Sequence, residues 1–114
     1  MQNISFSQLI QNIESHGHFI IDQAVFKLYE TELSFLKSKK VFFVVEAEVS
    51  KNINVFNSIL ESFLEKGITR NDTIVAIGGG ATTDLAGFVA SSILRGIDWI
   101  SVPTTLLAMV DASI

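Results

Sequence analysis

The stretch "IVAIGGGATTDLAGF", residues 74–88, decides the fold of this chain. A β-branched apolar run ends in three consecutive glycines, and apolar residues resume at helical spacing after Asp84. A glycine triplet is conformationally costly, so it indicates that something has to come close to the backbone. The stretch therefore predicts a buried strand, a glycine turn and a helix.

The same alternation of strand and helix patterns extends along the chain. Apolar runs without polar alternation are typical of strands that are buried on both faces. The predicted strands are residues 18–21, 41–45, 73–77 and 99–102. Apolar residues at helical spacing predict helices over residues 6–13, 25–36, 55–64, 84–94 and 104–113. The order predicts an open, mostly parallel α/β sheet with helices on both faces.

Small and polar residues follow the predicted strands. Ligands of such sheets bind beyond the carboxyl ends of the strands. The residues found there are Asp22, Glu46 with Glu48 and Lys51, the glycines 78–80, and Thr104 with Thr105. Glycine amides and the following helix N-terminus suit a pyrophosphate, although a tight turn without a ligand explains the glycines equally well.

The usual phosphate-binding fingerprints are not met at this turn. Thr83 stands at the third glycine position of G-x-G-x-x-G, and no Lys-Ser or Lys-Thr pair follows as in a Walker loop. Asp84 has a simpler explanation as a carboxylate in the first turn of its helix, where negative charge is favoured by about 0.3–1 kcal/mol. The turn alone therefore leaves its ligand open.

Composition limits the classes of function. With 114 residues the chain is one small domain, and its 48% hydrophobic content is typical of a globular protein. A net charge of −4 argues against a nucleic-acid or membrane surface, and the absence of cysteine excludes disulfides and fits a reducing cytoplasm. The sequence stops within the apolar segment "LLAMVDASI", so we expect it to be a piece of a longer protein.

Three segments together resemble the 3-dehydroquinate synthase family. Residues 78–113, "GGGATTDLAGFVASSILRGIDWISVPTTLLAMVDAS", are similar to its central motif, which contains a glycine triplet, RGI and PTTLLA. "AEVSKN", residues 47–52, resembles its GE-x-x-K element, and "IIDQAV", residues 20–25, its TD-x-N-V element. The resemblance implies a Rossmann-like N-terminal domain over residues 1–114, without the family's helical C-terminal domain.

The resemblance also implies an activity. Members of the family convert 3-deoxy-D-arabino-heptulosonate 7-phosphate to 3-dehydroquinate and phosphate in the shikimate pathway, with catalytic NAD and zinc or cobalt. The residues that hold the metal would lie outside this chain, as would a lysine after Ile114. The chain is thus expected to be a cofactor-binding fragment that is inactive alone, from a cytoplasmic homodimeric enzyme acting on a small sugar phosphate.

The resemblance assigns roles to the residues that match its motifs. The adenosine and ribose side of NAD is implied to contact Asp22, Glu48 and Lys51. The pyrophosphate is implied to lie against Gly79, Gly80 and Ala81. The ribose and nicotinamide side is implied to be lined by Asp84, Thr104, Thr105 and Leu107. Asp111 would lie between cofactor and substrate, and Arg95 at the substrate end, across a dimer interface.

Some positions depart from the family pattern, and other functions stay open. Ala24 replaces an asparagine, Thr83 a glycine and Ala112 a serine. One alternative is a relative that cyclises sedoheptulose 7-phosphate. A second is a metal-dependent polyol dehydrogenase, against which "RGI" and "PTTLLA" argue, and a third is an α/β binding module without enzymatic activity.

Overall fold

Strands and helices alternate along the chain, of which the structure, a computed structural model, describes residues 5–50 and 53–112. The elements are α1 (Phe6–Ile13), β1 (His18–Asp22), α2 (Gln23–Leu28), β2 (Lys40–Val44), α3 (Glu46–Val49), α4 (Asn54–Glu65), β3 (Thr73–Gly78), α5 (Gly80–Ser92), β4 (Asp98–Pro103) and α6 (Thr104–Ala112). Short 3₁₀ helices cover Ser34–Ser38 and Ile93–Arg95. No helix in the described ranges is long and apolar enough to cross a membrane.

The four strands form one parallel sheet in the order β2-β1-β3-β4. Ile21 is aligned with Phe43 on one side and with Ile77 on the other, and Gly78 is aligned with Pro103. The strands therefore end level with one another, and the residues that follow them meet at one edge. The predicted parallel sheet is confirmed.

Helices cover both faces of the sheet, as the alternation predicted. On one face, residues such as Phe19 and Ile77 pack with α1, α2 and α6, which we call the first core. On the other face, residues such as Ile20 and Ala76 pack with α3, α4 and α5, which we call the second core. The helices after the adjacent strands β1 and β3 thus leave on opposite faces, which opens a crevice between the ends of these strands.

The sequence predictions for one helix and one strand were wrong in detail. The predicted helix over residues 25–36 ends at Leu28, and Leu33 and Leu36 reach the first core from a turn and a 3₁₀ helix instead. Apolar spacing does not distinguish one long helix from a short helix followed by a turn and a 3₁₀ helix, since both bury the same side chains. The second error concerns β2, which was expected to be buried on both faces but lies at the sheet edge, where Phe43 is 45% exposed.

His18 is a buried polar residue at the amino end of β1, 4% exposed. Its ring meets Phe63 edge-on at 5.3 Å, and neither ring nitrogen has a hydrogen-bond partner among the described residues. Burial lowers the pKa of His18 below 6.5. Asp72 acts in the opposite direction, and Lys40 and Lys66 lower it further. The folded state thus favours the neutral form of this imidazole.

This burial predicts a stability that depends on pH. Because the folded pKa lies below the unfolded one, the unfolded state binds the proton first, and the free energy of unfolding should decrease as pH falls below about 6.5. His18→Leu should remove that part of the decrease, as urea denaturation at pH 7.5 and 5.5 would measure. His16→Leu, in the preceding loop, is the matched control; an unchanged slope in His18→Leu would contradict the prediction.

Candidate functional site

The three glycines at the end of β3 differ in what surrounds them. A Cβ on Gly78 would lie 2.8 Å from the Cβ of Thr82, and one on Gly79 would lie 2.8 Å from the carboxyl carbon of Glu46. A Cβ on Gly80 would meet nothing within 4 Å. Packing inside the chain therefore explains the first two glycines. It does not explain Gly80, which is exposed at the first position of α5.

An anionic side chain already lies at the N-terminus of α5. Glu46 follows β2, and its Oε2 accepts a hydrogen bond from the amide of Ala81 at 2.9 Å. Its Oε1 accepts one from the amide of Thr82 at 3.1 Å and another from the Thr82 hydroxyl. Unpaired amides and the helix dipole favour a negative charge at this position.

Hydrogen bonding keeps the Glu46 carboxyl charged. Burial acts to raise its pKa. The hydroxyl of Thr82 and the amides of Ala81, Thr82 and Gly79 lower it, and together they outweigh burial, so the pKa lies below its ordinary value. A carboxylate that accepts several hydrogen bonds is expected to behave in this way. The turn therefore stabilises an anion in this chain.

Asp22 connects this contact to the end of β1. It is 8% exposed, and its Oδ1 accepts a hydrogen bond from the amide of Glu46 at 3.2 Å. Glu46 thus reaches from β2 past the end of β1 to the helix that follows β3. The expectation that polar groups gather at this edge is confirmed for Asp22 and the glycine turn.

The remaining residues predicted to lie at this edge are placed as follows. Thr104 and Thr105 begin α6 directly after Pro103, which pairs with Gly78, so they lie beside the glycine turn. Glu48 is exposed on α3 and lines a cavity of about 220 Å³ with Phe43 and Asn54. Lys51 lies outside the described residues. The cofactor contacts assigned to these residues stay predictions.

Asp84 does not occupy the first turn of its helix. The helix was expected from Asp84 but begins at Gly80, so Asp84 lies in the second turn and the helix-start explanation is wrong. Its side chain is exposed and lines a broad depression of about 410 Å³ with Gly87, Phe88 and Trp99. The carboxylate is therefore open to a ligand on the face of α5 that points toward β4.

Three other predicted residues lie farther from the turn. The Leu107 side chain is buried in the first core, 1% exposed, so a cofactor contact there would involve its main chain. Asp111 is exposed near the end of α6, where its charge adds to burial in raising the pKa of Tyr29. Arg95 lies after α5, at the end of the sheet where β4 begins and opposite the glycine turn. Their roles stay predictions.

Sequence reasoning gave Glu46 no role, although the structure places it at the centre of the site. The residue was noted only as following a strand, and it is separated from Ala81 by 35 positions. The available signal was an acidic residue at a strand end in a sheet whose neighbouring turn needs an anion. No group of three or more metal-ligating side chains occurs within residues 5–50 and 53–112.

Comparison with known proteins gives relatives along most of the chain. A family model described as 3-dehydroquinate synthase N-terminal matches residues 41–114. A 3-dehydroquinate synthase of Staphylococcus epidermidis is 41% identical over 107 residues, which are 91% of this chain and 30% of the relative. One of Streptococcus thermophilus is 53% identical over 74 residues, which are 65% of this chain and 21% of the relative. The chain thus spans less than a third of these relatives.

Solved structures share the fold. A 2-epi-5-epi-valiolone synthase of Streptomyces hygroscopicus, with NAD⁺ and Zn²⁺ bound, has a TM-score of 0.69 at 27% identity and covers 99% of this chain and 34% of its own. A 2-deoxy-scyllo-inosose synthase, complexed with carbaglucose-6-phosphate, NAD⁺ and Co²⁺, has a TM-score of 0.66 at 25% identity. This match covers 90% of the present chain and 31% of the inosose synthase chain. Both match the N-terminal sheet that the sequence predicted.

The different surroundings of the glycines predict different responses to alanine. Gly78→Ala should lower the free energy of unfolding by about 1–3 kcal/mol, because its Cβ would overlap the buried Thr82 side chain. Gly80→Ala should leave it unchanged or raise it by up to about 1 kcal/mol, since its Cβ meets open space. Urea denaturation of both variants measures this, and equal losses would show that the turn is packed differently.

Proposed function

The chain belongs to the 3-dehydroquinate synthase family, and we propose that it forms the NAD-binding part of an enzyme that converts 3-deoxy-D-arabino-heptulosonate 7-phosphate to 3-dehydroquinate and phosphate. The relatives that share 41–53% of aligned residues carry this enzyme's name. Two proteins of the same fold were solved with NAD⁺ and a divalent metal bound. The site described above has the features that such a cofactor requires.

The open third glycine carries the proposal. Gly80 is exposed where α5 begins, and a Cβ there would fill space that no part of the described chain occupies. The position lies at the carboxyl ends of the adjacent strands β1 and β3, at the positive end of a 13-residue helix. A dinucleotide's pyrophosphate needs close backbone approach and a helix N-terminus. The residues present therefore fit the group.

The chain's own residues would bind and orient the cofactor. We assign the pyrophosphate to Gly79, Gly80 and Ala81, and the adenosine and ribose side to Asp22, Glu48 and Lys51. Thr104, Thr105, Leu107 and Asp84 would line the ribose and nicotinamide side, with Asp111 toward the substrate. When bound, NAD supplies a hydride acceptor and donor for a substrate carbon.

The rest of the active site would come from other parts of the enzyme. We place the zinc or cobalt ligands outside this chain, which would leave the chain inactive alone. Arg95 is separated from the glycine turn by the length of α5, so it would reach only the site of a neighbouring copy. This placement favours the proposed homodimer, in which Arg95 contacts the phosphorylated substrate of its partner.

A second candidate is another reaction of the same class. The two solved neighbours are named as a valiolone synthase and an inosose synthase, so enzymes with other products share the fold. The alternative is therefore a relative acting on sedoheptulose 7-phosphate. The 25–27% identity of the two neighbours is well below the 41% and 53% of the relatives named 3-dehydroquinate synthase. We therefore favour the dehydroquinate reaction.

NAD⁺ binding to Gly80→Ala tests the proposal. The added methyl group should weaken NAD⁺ binding about tenfold or more, because it occupies the space of the approaching pyrophosphate, while the stability without NAD⁺ does not fall. Calorimetric titration of the wild type and the variant measures the affinities. Gly17→Ala, whose Cβ also meets nothing within 4 Å, is the matched control. Equal NAD⁺ affinity in all three proteins would contradict the assignment of the cofactor to this turn.

Asp84→Asn tests the side-chain part of the cofactor site. The substitution keeps the size of the residue and removes its charge. A charge-assisted hydrogen bond contributes roughly 1.5–3 kcal/mol, so NAD⁺ should bind about ten- to a hundredfold more weakly. The melting temperature without NAD⁺ should change little, because Asp84 is exposed in the second turn. Unchanged affinity together with lower apo stability would make Asp84 a structural residue.

A further inference from the structure

We propose that Glu46 is an internal anion that competes with the pyrophosphate of NAD for the glycine turn, and so sets the cofactor affinity of this site. The inference rests on the proposed function. Its basis is that the carboxylate engages the amides of Ala81 and Thr82 at 2.9 and 3.1 Å. The Ala81 amide belongs to the group assigned above to the pyrophosphate, and the Thr82 amide is the next one along α5.

The carboxylate and a pyrophosphate cannot share these amides. Glu46 is pressed against the turn so closely that a Cβ on Gly79 would lie 2.8 Å from its carboxyl carbon and 2.8 Å from Oε2. Each amide has one hydrogen to donate, and the carboxylate accepts both of them. Two anions within a few ångströms in a partly buried place also repel each other strongly. NAD therefore has to displace the carboxylate.

The backbone of Glu46 can stay in place while its side chain leaves. Its amide donates to Asp22 Oδ1 at 3.2 Å, and this bond does not involve the carboxylate. The side chain is only partly buried, so a change of rotamer would carry the carboxylate toward solvent. The Thr82 hydroxyl and the two amides would then be free for the phosphate oxygens. The site thus has a closed state, held by Glu46, and an open state that binds NAD.

Competition of this kind lowers the apparent affinity by the fraction of molecules in the open state. Removing the carboxylate leaves every molecule in the open state. NAD⁺ should then bind more tightly, and the folded chain should be less stable without NAD⁺. A tenfold preference for the closed state corresponds to about a tenfold gain in affinity on its removal. A residue with only a structural role would lower stability without improving affinity.

The experiment compares Glu46→Ala, Glu46→Gln and the matched control Glu61→Ala, which removes an exposed carboxylate on α4. NAD⁺ is titrated calorimetrically, and thermal unfolding is followed without ligand. Glu46→Ala should bind NAD⁺ about tenfold more tightly than the wild type and melt at a lower temperature. Glu46→Gln keeps the size and one acceptor oxygen, so it should fold and bind with intermediate affinity. Glu61→Ala should bind like the wild type.

The outcomes separate this inference from the proposed function. If the wild type binds NAD⁺ and both Glu46 variants bind equally or more weakly, the competition is overturned while the NAD site stands. If Glu61→Ala gains as much affinity as Glu46→Ala, the effect is one of net charge, and the competition is likewise overturned. If neither the wild type nor any variant binds NAD⁺, the proposed function fails and the inference fails with it.

Discussion

The site depends on the register of the parallel sheet. Pairing of Ile21 with both Phe43 and Ile77 brings β1, β2 and β3 to an end at one level, and Gly78 pairs with Pro103 so that β4 ends there too. A shift of one residue in any pair would turn the core side chains of that strand to the opposite face. Burial of both faces therefore fixes the register, and the register in turn fixes which residues meet at the carboxyl edge.

Close packing of α5 against the sheet brings the N-terminus of this helix to the carboxyl ends of the strands. Gly78 allows Thr82 to approach the end of β3, and Gly87 allows Trp99 of β4 to lie against the helix, since a Cβ at either position would come within 3 Å of the neighbouring side chain. The buried residues Ala86, Val89 and Ala90 complete the contact with the second core. These small residues hold the helix N-terminus close to the strand ends, where its amides face the crevice.

The sequence predicted those elements whose burial pattern is contained within their own segment. The run at residues 73–77 lies in β3 and is buried from Ile74 onward. The spacing of Phe6, Leu9 and Ile13 likewise gives α1, which spans Phe6–Ile13. The edge position of β2 was missed, because exposure of Phe43 depends on which strand pairs beside it and not on its own segment. Glu46 was missed for the same reason, since its partners are brought together only by the crossover from β2 past β1 to β3.

The turn after α5 places Arg95 at the end of that helix that lies farthest from the glycine turn. Leu94 and Arg95 have φ of 50° and 68°, a left-handed conformation that costs non-glycine residues roughly 1–2 kcal/mol each. Burial of Ile93 and the hydrogen bond from Ile97 to Ala90 at 2.8 Å maintain this turn, which returns the chain to β4. Arg95 is thereby exposed about 20 Å from the glycine turn, the length of the 13-residue helix α5. No side-chain rotation spans that distance, so the Arg95 side chain does not reach the glycine turn of its own chain.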